Sequence, residues 1–204
     1  MTCIVGMVDG SGEFVVIGGD SAGVSGWTLT LRSDRKAFVL QPGIVIGYTS
    51  SFRMGQLLQF SLPHFELPEP GDEFRWAVTV FIPAVRKAFA DGGYLRKDNE
   101  RESGGAFLLG VRGALFEIDS DFQVGVPSSG LASCGCGFAE AMGALEALVG
   151  SPSDKSTTAT LRRALAISER LNAGVRGPFE FVSTELGVTD QQPRDTTTYP
   201  SEPS

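Results

Sequence analysis

Thr2 is the residue in this chain best equipped to do chemistry by itself. It follows Met1 directly and opens the strand-like run Thr2-Cys3-Ile4-Val5-Gly6-Met7-Val8. Removal of Met1 would put a threonine hydroxyl and a free α-amine on one residue, a nucleophile with its own general base. Three further features fall at strand ends or turns: Gly19-Asp20-Ser21, Lys36, and Gly135-Cys136-Gly137 ahead of a helix. An aspartate and a lysine at strand ends can serve a nucleophile, or can form an ion pair with no part in catalysis.

Other nucleophiles have less around them. A Ser-His-Asp triad would rest on His64, the one histidine, in a Leu62-Pro63-His64-Phe65 connector that suits a surface or packing role. Gly10-Ser11-Gly12 lacks the pattern of a phosphate loop. Cys134 and Cys136 could suggest a metal or redox pair, but there is no second cysteine pair to complete a ligand set. No cofactor or metal is expected.

Positioning Thr2 requires a strand and neighbours for it. The runs Thr2 to Val8 and Glu13 to Ile17 flank Asp9-Gly10-Ser11-Gly12, a hairpin signal. Strand-like runs follow at Trp27 to Arg32, Lys36 to Leu40 and Gly43 to Thr49. The period then changes: Phe52 to Leu62 reads as a helix stopped by Pro63. Residues Pro63 to Asp72 form a connector rich in proline and acid. Phe74 to Ala90 reads as a long helix, with Phe74, Val78, Phe81, Val85 and Phe89 on one face and a kink expected at Pro83. Strands return at Gly105 to Val111, Ala114 to Ile118 and Phe122 to Val126. Helices at Phe138 to Val149 and Thr157 to Leu171 precede a last strand, Phe179 to Thr184. Strands in one block, two helices, strands again, two helices: this order implies an α+β fold with antiparallel sheets, a four-layer αββα sandwich. Residues 1–188 form the expected domain, and 189–204, rich in Pro, Thr, Ser and Gln, an expected disordered tail.

With 204 residues, 42% hydrophobic and 20% charged, the chain suits one globular domain. A formal charge of −7 with no Lys/Arg cluster argues against a nucleic-acid surface. No apolar run is long enough for a transmembrane helix, and no secretory signal is present, so no membrane role and a cytoplasmic location are expected. Three cysteines supply no disulfide framework.

The order and spacing of the motifs resemble the proteasome β-subunit family of N-terminal nucleophile hydrolases, including the bacterial proteasome-like protease of the heat-shock locus. The resemblance covers roughly residues 2 to 185. It rests on Thr2, on a second strand ending in Gly18-Gly19-Asp20, and on Lys36 sixteen residues after the aspartate. It rests also on the turn Gly47-Tyr48-Thr49-Ser50-Ser51, and on Gly135-Cys136-Gly137 followed by Ala141-Met142-Gly143-Ala144-Leu145. The resemblance implies that the Thr2 hydroxyl attacks a carbonyl carbon and the Thr2 amine takes its proton. Lys36 would favour the alkoxide, Asp20 would hold Lys36, and the Ser50 amide would donate to an oxyanion. An N-cap at Ser50 or Ser51 is an equally good reading of that turn. Tyr48 would line a substrate pocket or pack as a strand residue.

The sequence departs from the family at several points. Ser50 stands where a glycine is usual, and Cys136 replaces a serine whose hydroxyl lies near the nucleophile's amine. In the family's Arg-Asp-x-x-Ser-Gly segment, Arg170 matches, but Leu171 holds the aspartate position and Gly174 the serine position. Glu169 and Asn172 are the nearby polar residues that could compensate. The implied activity is threonine-type cleavage of peptide or amide bonds by a homo-oligomeric ring, with an unfolding ATPase as a partner. The alternatives are a small-molecule amidase on the same fold, or an inert subunit kept for assembly.

Overall fold

Strand β1 (Cys3–Val8) pairs antiparallel with β2 (Val15–Gly19), Ile4 opposite Gly19 and Val8 opposite Val15. Both are apolar along almost their whole length, which suits strands covered on two faces. The Asp9 carboxylate closes the turn between them by accepting the amides of Ser11, Glu13 and Phe14. The structure, a computed structural model, describes residues 1–150 and 156–185. Chain order continues with β3 (Ala22–Ser25), β4 (Thr28–Leu31), β5 (Ala37–Gln41), β6 (Ile44–Tyr48), and the helices α1 (Phe52–Phe60) and α2 (Glu73–Trp76). A π-type turn (Ala77–Phe81) joins α2 to α3 (Ile82–Asp91). Then come β7 (Arg96–Asp98), β8 (Arg101–Ser103), β9 (Phe107–Val111), β10 (Ala114–Ile118), β11 (Val124–Gly125) and β12 (Leu131–Gly135). Helices α4 (Phe138–Leu148) and α5 (Thr157–Leu171) precede β13 (Glu180–Ser183).

One sheet runs β12-β1-β2-β13 and the other β11-β10-β9-β6-β5. Every pairing in them is antiparallel. The alternation along β1 shows how the layers form. Ile4 faces the second sheet, in a layer with Ile17, Val45, Leu108 and Leu115. Cys3, Val5 and Met7 face outward against Leu145 of α4 and Leu161 and Leu165 of α5. Beyond the second sheet, α1 and α3 pack Met54, Leu58, Val85 and Phe89 over Ile46, Phe107 and Leu109. The expected four-layer αββα sandwich is therefore present. Gly47 lets the sheets close on each other: a Cβ there would lie 2.5 Å from Ile17 Cγ2 and 2.6 Å from Ile4 Cγ2.

The departures from the sequence reading have local causes. The kink expected at Pro83 takes the form of the π-type turn before it, where the Ile82 N–H donates to the Ala77 carbonyl five residues back. One extra residue in that turn rotates the apolar face. Phe81, Val85 and Phe89 are buried as their spacing predicts, but Phe74 and Val78 are exposed and Trp76 and Ala77 are buried in their stead. The strand expected at Phe122 to Val126 shortens to Val124–Gly125, because Phe122 sits in a turn at φ 69°. Strands β3, β7, β8 and β12 add to those read from the sequence. The tail expected at 189–204 lies outside the described residues. Among the described residues, no helix is long and apolar enough to cross a membrane.

Candidate active site

Strand register brings the chemistry together. Thr2 precedes the first residue of β1, and Asp20 follows the last of β2. The two ends are tied by Asp20 N–H to Cys3 O (3.2 Å) and Cys3 N–H to Asp20 Oδ1 (3.0 Å). On the other flank Cys3 is opposite Gly135 of β12, and the Gly137 amide reaches Thr2 O at 3.4 Å. Gly135 has φ 102°, and a Cβ there would lie 2.2 Å from Thr2 O. Glycine is therefore required at that position on both counts. Thr2 itself is buried, with its hydroxyl donating to the Met1 carbonyl.

Lys36 comes from the other sheet, one residue before β5. Its Nζ donates to Asp20 Oδ1 at 2.8 Å and to the Ala22 carbonyl at 2.6 Å. The Asp20 carboxylate also accepts the amides of Ala22 (3.0 Å) and Arg176 (3.3 Å) through Oδ2. Lysine and aspartate are both buried. Burial pushes the Lys36 amine below its ordinary range, and the Asp20 charge opposes that shift. An ammonium has three N–H donors, and the third has no acceptor among the described residues.

The β6–α1 turn borders the same place, since the Cβ position at Gly135 lies 3.2 Å from Thr49 Oγ1 as well as against Thr2. Ser51 caps α1 through its side chain, accepting the Arg53 amide. Ser50 is left-handed at φ 68°, the conformation that favours the glycine usual there, and its hydroxyl accepts the Ala106 amide at 3.2 Å. The Ser50 N–H has no acceptor among the described residues. Tyr48 packs in the core beneath Gly55, where an added Cβ would lie 2.0 Å from the ring.

Cys136 lies at the Thr2 nitrogen, a backbone amide while Met1 is attached. Its Sγ is 3.2 Å from Thr2 N and 3.4 Å from Thr2 O. Leu171 is 65% exposed and brings nothing to Thr2. Glu169 accepts the Gly177 amide and pairs with Arg176, so it supports the next turn. Asn172, weighed equally with Glu169 from the sequence, is the one beside Cys136, donating from Nδ2 to the Cys136 carbonyl at 2.9 Å. Gly174 is closed in: a Cβ there would lie 2.7 Å from Cys136 Sγ and as close to the Met1 side chain. Among the described residues, no group of three or more His, Cys, Asp or Glu side chains is placed to hold a metal.

No family model matches the sequence, and no curated protein matches it. Solved structures do match. The BPH protein of Thiobacillus denitrificans superposes with a TM-score of 0.72 at 16% identity, over 89% of this chain and 97% of that one. A second structure of it, in complex with epoxomicin, gives 0.72 at 17%, over 88% and 97%. HslV from Trypanosoma brucei gives 0.63 at 18%, over 89% and 98%. A Gly-1 mutant of Anbu from Hyphomicrobium sp. strain MC1 gives 0.63 at 17%, over 89% and 80%. With a four-layer sandwich that spans nearly the whole length of two of these neighbours, the chain has the proteasome-like N-terminal nucleophile hydrolase fold.

Proposed function

We propose that the chain is an N-terminal threonine hydrolase that cleaves peptide bonds once Thr2 is its first residue. The observation that carries this reading is the buried ion pair tied to Cys3, the residue that follows Thr2. Asp20 ties the strand that bears Thr2 to a buried Lys36 ammonium with one N–H to spare. The proteasome-like fold supports it independently.

In the reaction, Thr2 Oγ1 attacks the substrate carbonyl carbon and its proton passes to the Thr2 amine. The Lys36 ammonium favours the alkoxide, and the free Ser50 amide donates to the oxygen that becomes negative. Breakage of the C–N bond sends the proton to the leaving amine and leaves an ester on Oγ1. Water then gives a proton to the Thr2 amine, attacks the ester and releases the acid, restoring the hydroxyl. Cys136, at the Thr2 nitrogen, stands in for the serine of the resemblance. By that resemblance the chain works as a homo-oligomeric ring in the cytoplasm, with an unfolding ATPase supplying peptide substrates.

The test is the intact mass of the purified protein with and without epoxomicin, the compound bound by the similar Thiobacillus protein. The expected result is a chain lacking Met1 that gains one inhibitor. Thr2→Ala should lose both the adduct and peptide hydrolysis. Hydrolysis by a chain that retains Met1 would overturn the mechanism.

A further inference from the structure

The end of α5 and the β12–α4 turn meet through Asn172. The backbone leaves α5 extended at this residue (φ −124°, ψ 117°), and the side-chain amide is held at both ends. Nδ2 donates to the Cys136 carbonyl at 2.9 Å and to Glu140 Oε1 at 3.4 Å, while Oδ1 accepts the Gly174 amide at 3.0 Å. Two backbone partners of opposite kind therefore decide which end is oxygen. That oxygen faces the Cys136 thiol at 3.5 Å, and the sulfur lies 3.2 Å from the Thr2 nitrogen.

We infer that Asn172 is a positioning residue for the Thr2 nitrogen, acting through Cys136. The inference rests on the reading of Thr2 as the nucleophile. When Oδ1 takes the S–H, the sulfur turns a lone pair toward the Thr2 nitrogen and accepts from its N–H. The amine is oriented and keeps its own lone pair for the hydroxyl proton. With the S–H turned inward, the thiol would compete for that lone pair. The Thr2 carbonyl, 3.4 Å from the sulfur, is the rival acceptor for the S–H, so a labelling rate unchanged in Asn172→Ala would show that the carbonyl serves alone and would overturn the inference. A neutral amide one residue along thus does work that the resemblance gives to an aspartate and a serine, at positions held here by Leu171 and Gly174. The ionisable groups around the nitrogen are Cys136 and Cys3, Asp20 at the end of β2, Lys36 before β5, and Glu140 on α4. Of these, only Cys136 hydrogen-bonds it.

A double-mutant cycle tests this, read as the rate at which the electrophile labels Thr2 across pH. Asn172→Ala should slow labelling about tenfold in the unmodified background and have no further effect in Cys136→Ala. Equal slowing in both backgrounds would mean a merely structural role and overturn the inference. Asn172→Asp keeps the acceptor for Gly174 and carries the test if the alanine variant fails to fold. A carboxylate there favours the ammonium, so the acid limb of the labelling profile should move up by about one pH unit. An unmoved limb overturns the inference. No labelling of Thr2 in the unmodified protein removes the nucleophile reading and this inference with it. Normal labelling with additive losses removes the role of Asn172 alone.

Discussion

Lys36 Nζ lies 2.8 Å from Asp20 Oδ1, the same oxygen that takes the Cys3 amide at 3.0 Å. One carboxylate thus binds the strand carrying Thr2 to a charge from the other sheet. Both side chains are at most 2% exposed, so removing the aspartate strands a buried ammonium, at a cost of about 3–5 kcal/mol. Asp20→Ala should lose about that much in urea unfolding. Lys36→Met should lose less, because the Asp20 carboxylate keeps the amides of Cys3, Ala22 and Arg176.

The same burial predicts two opposite responses to alkaline pH. Lys36 is held below the ordinary lysine range of about 10.4. Between its folded value and that figure, the unfolded chain binds the extra proton, so the contribution of Lys36 to stability rises with pH. Over the same window the ammonium that the proposed mechanism uses is being lost. Labelling of Thr2 should therefore fall in a range where unfolding free energy does not, and Lys36→Met should lack this alkaline limb.

The three cysteines should separate by reactivity. Cys136 is exposed, whereas burial pushes the Cys3 thiol up to about 12 and raises that of Cys134 as well. Since the thiolate is the reactive form, an alkylating reagent at pH 8 should add once to the native protein and three times after denaturation. The single adduct sits at the Thr2 nitrogen, so it should also stop labelling of Thr2. Mass spectrometry of the doubly treated protein reads both results.

Ser50 offers a comparison of backbone and side chain. Ser50→Ala loses the bond from the Ala106 amide and keeps a Cβ at φ 68°. Ser50→Gly loses the same bond but relieves the left-handed backbone, so it should be the more stable of the two by about 1 kcal/mol. Both keep the Ser50 N–H and should keep labelling of Thr2. Loss of labelling in a folded alanine variant would mean that the hydroxyl, not the amide, is the working group.

Thr2 and Asp20 are legible in the sequence because their placement follows from local pairing, whereas Lys36, from the other sheet, is reached only through the sixteen-residue spacing of the resemblance. Alternation along β1 and β2 fixes a register in which Asp20 must flank Cys3. Ser50 is legible only to within a residue, and it is the backbone at φ 68° that separates it from the cap at Ser51. Strand β12 is not legible: Leu131-Ala132-Ser133-Cys134-Gly135 has weak strand propensity and is made a strand by pairing with β1, far away in the chain. Asn172 is the hardest to read, since its role depends on an extended backbone just past α5 that turns the site from Leu171 to the next residue. The sequence offers Asn172 and Glu169 alike as polar residues able to compensate, and only the backbone leaving α5 decides between them.

The departures at 136 and 174 meet at one contact. The Cβ of any residue at 174 would come within 2.7 Å of Cys136 Sγ and of the Met1 side chain. Loss of Met1 would clear one of these contacts, but the sulfur stays, held against Thr2 and Asn172. Gly174→Ser alone should therefore displace the sulfur, destabilise the fold by about 1–3 kcal/mol and slow labelling of Thr2. Cys136→Ser shortens the reach of that side chain, because a C–O bond is shorter than a C–S bond and oxygen is the smaller atom. Gly174→Ser should then cost less in the Cys136→Ser background than in the unmodified one. Urea unfolding and labelling rates of the two single variants and the double variant measure the coupling. Equal cost of Gly174→Ser in both backgrounds would show that sulfur is not what keeps residue 174 a glycine, leaving the turn at Asn172 as the constraint.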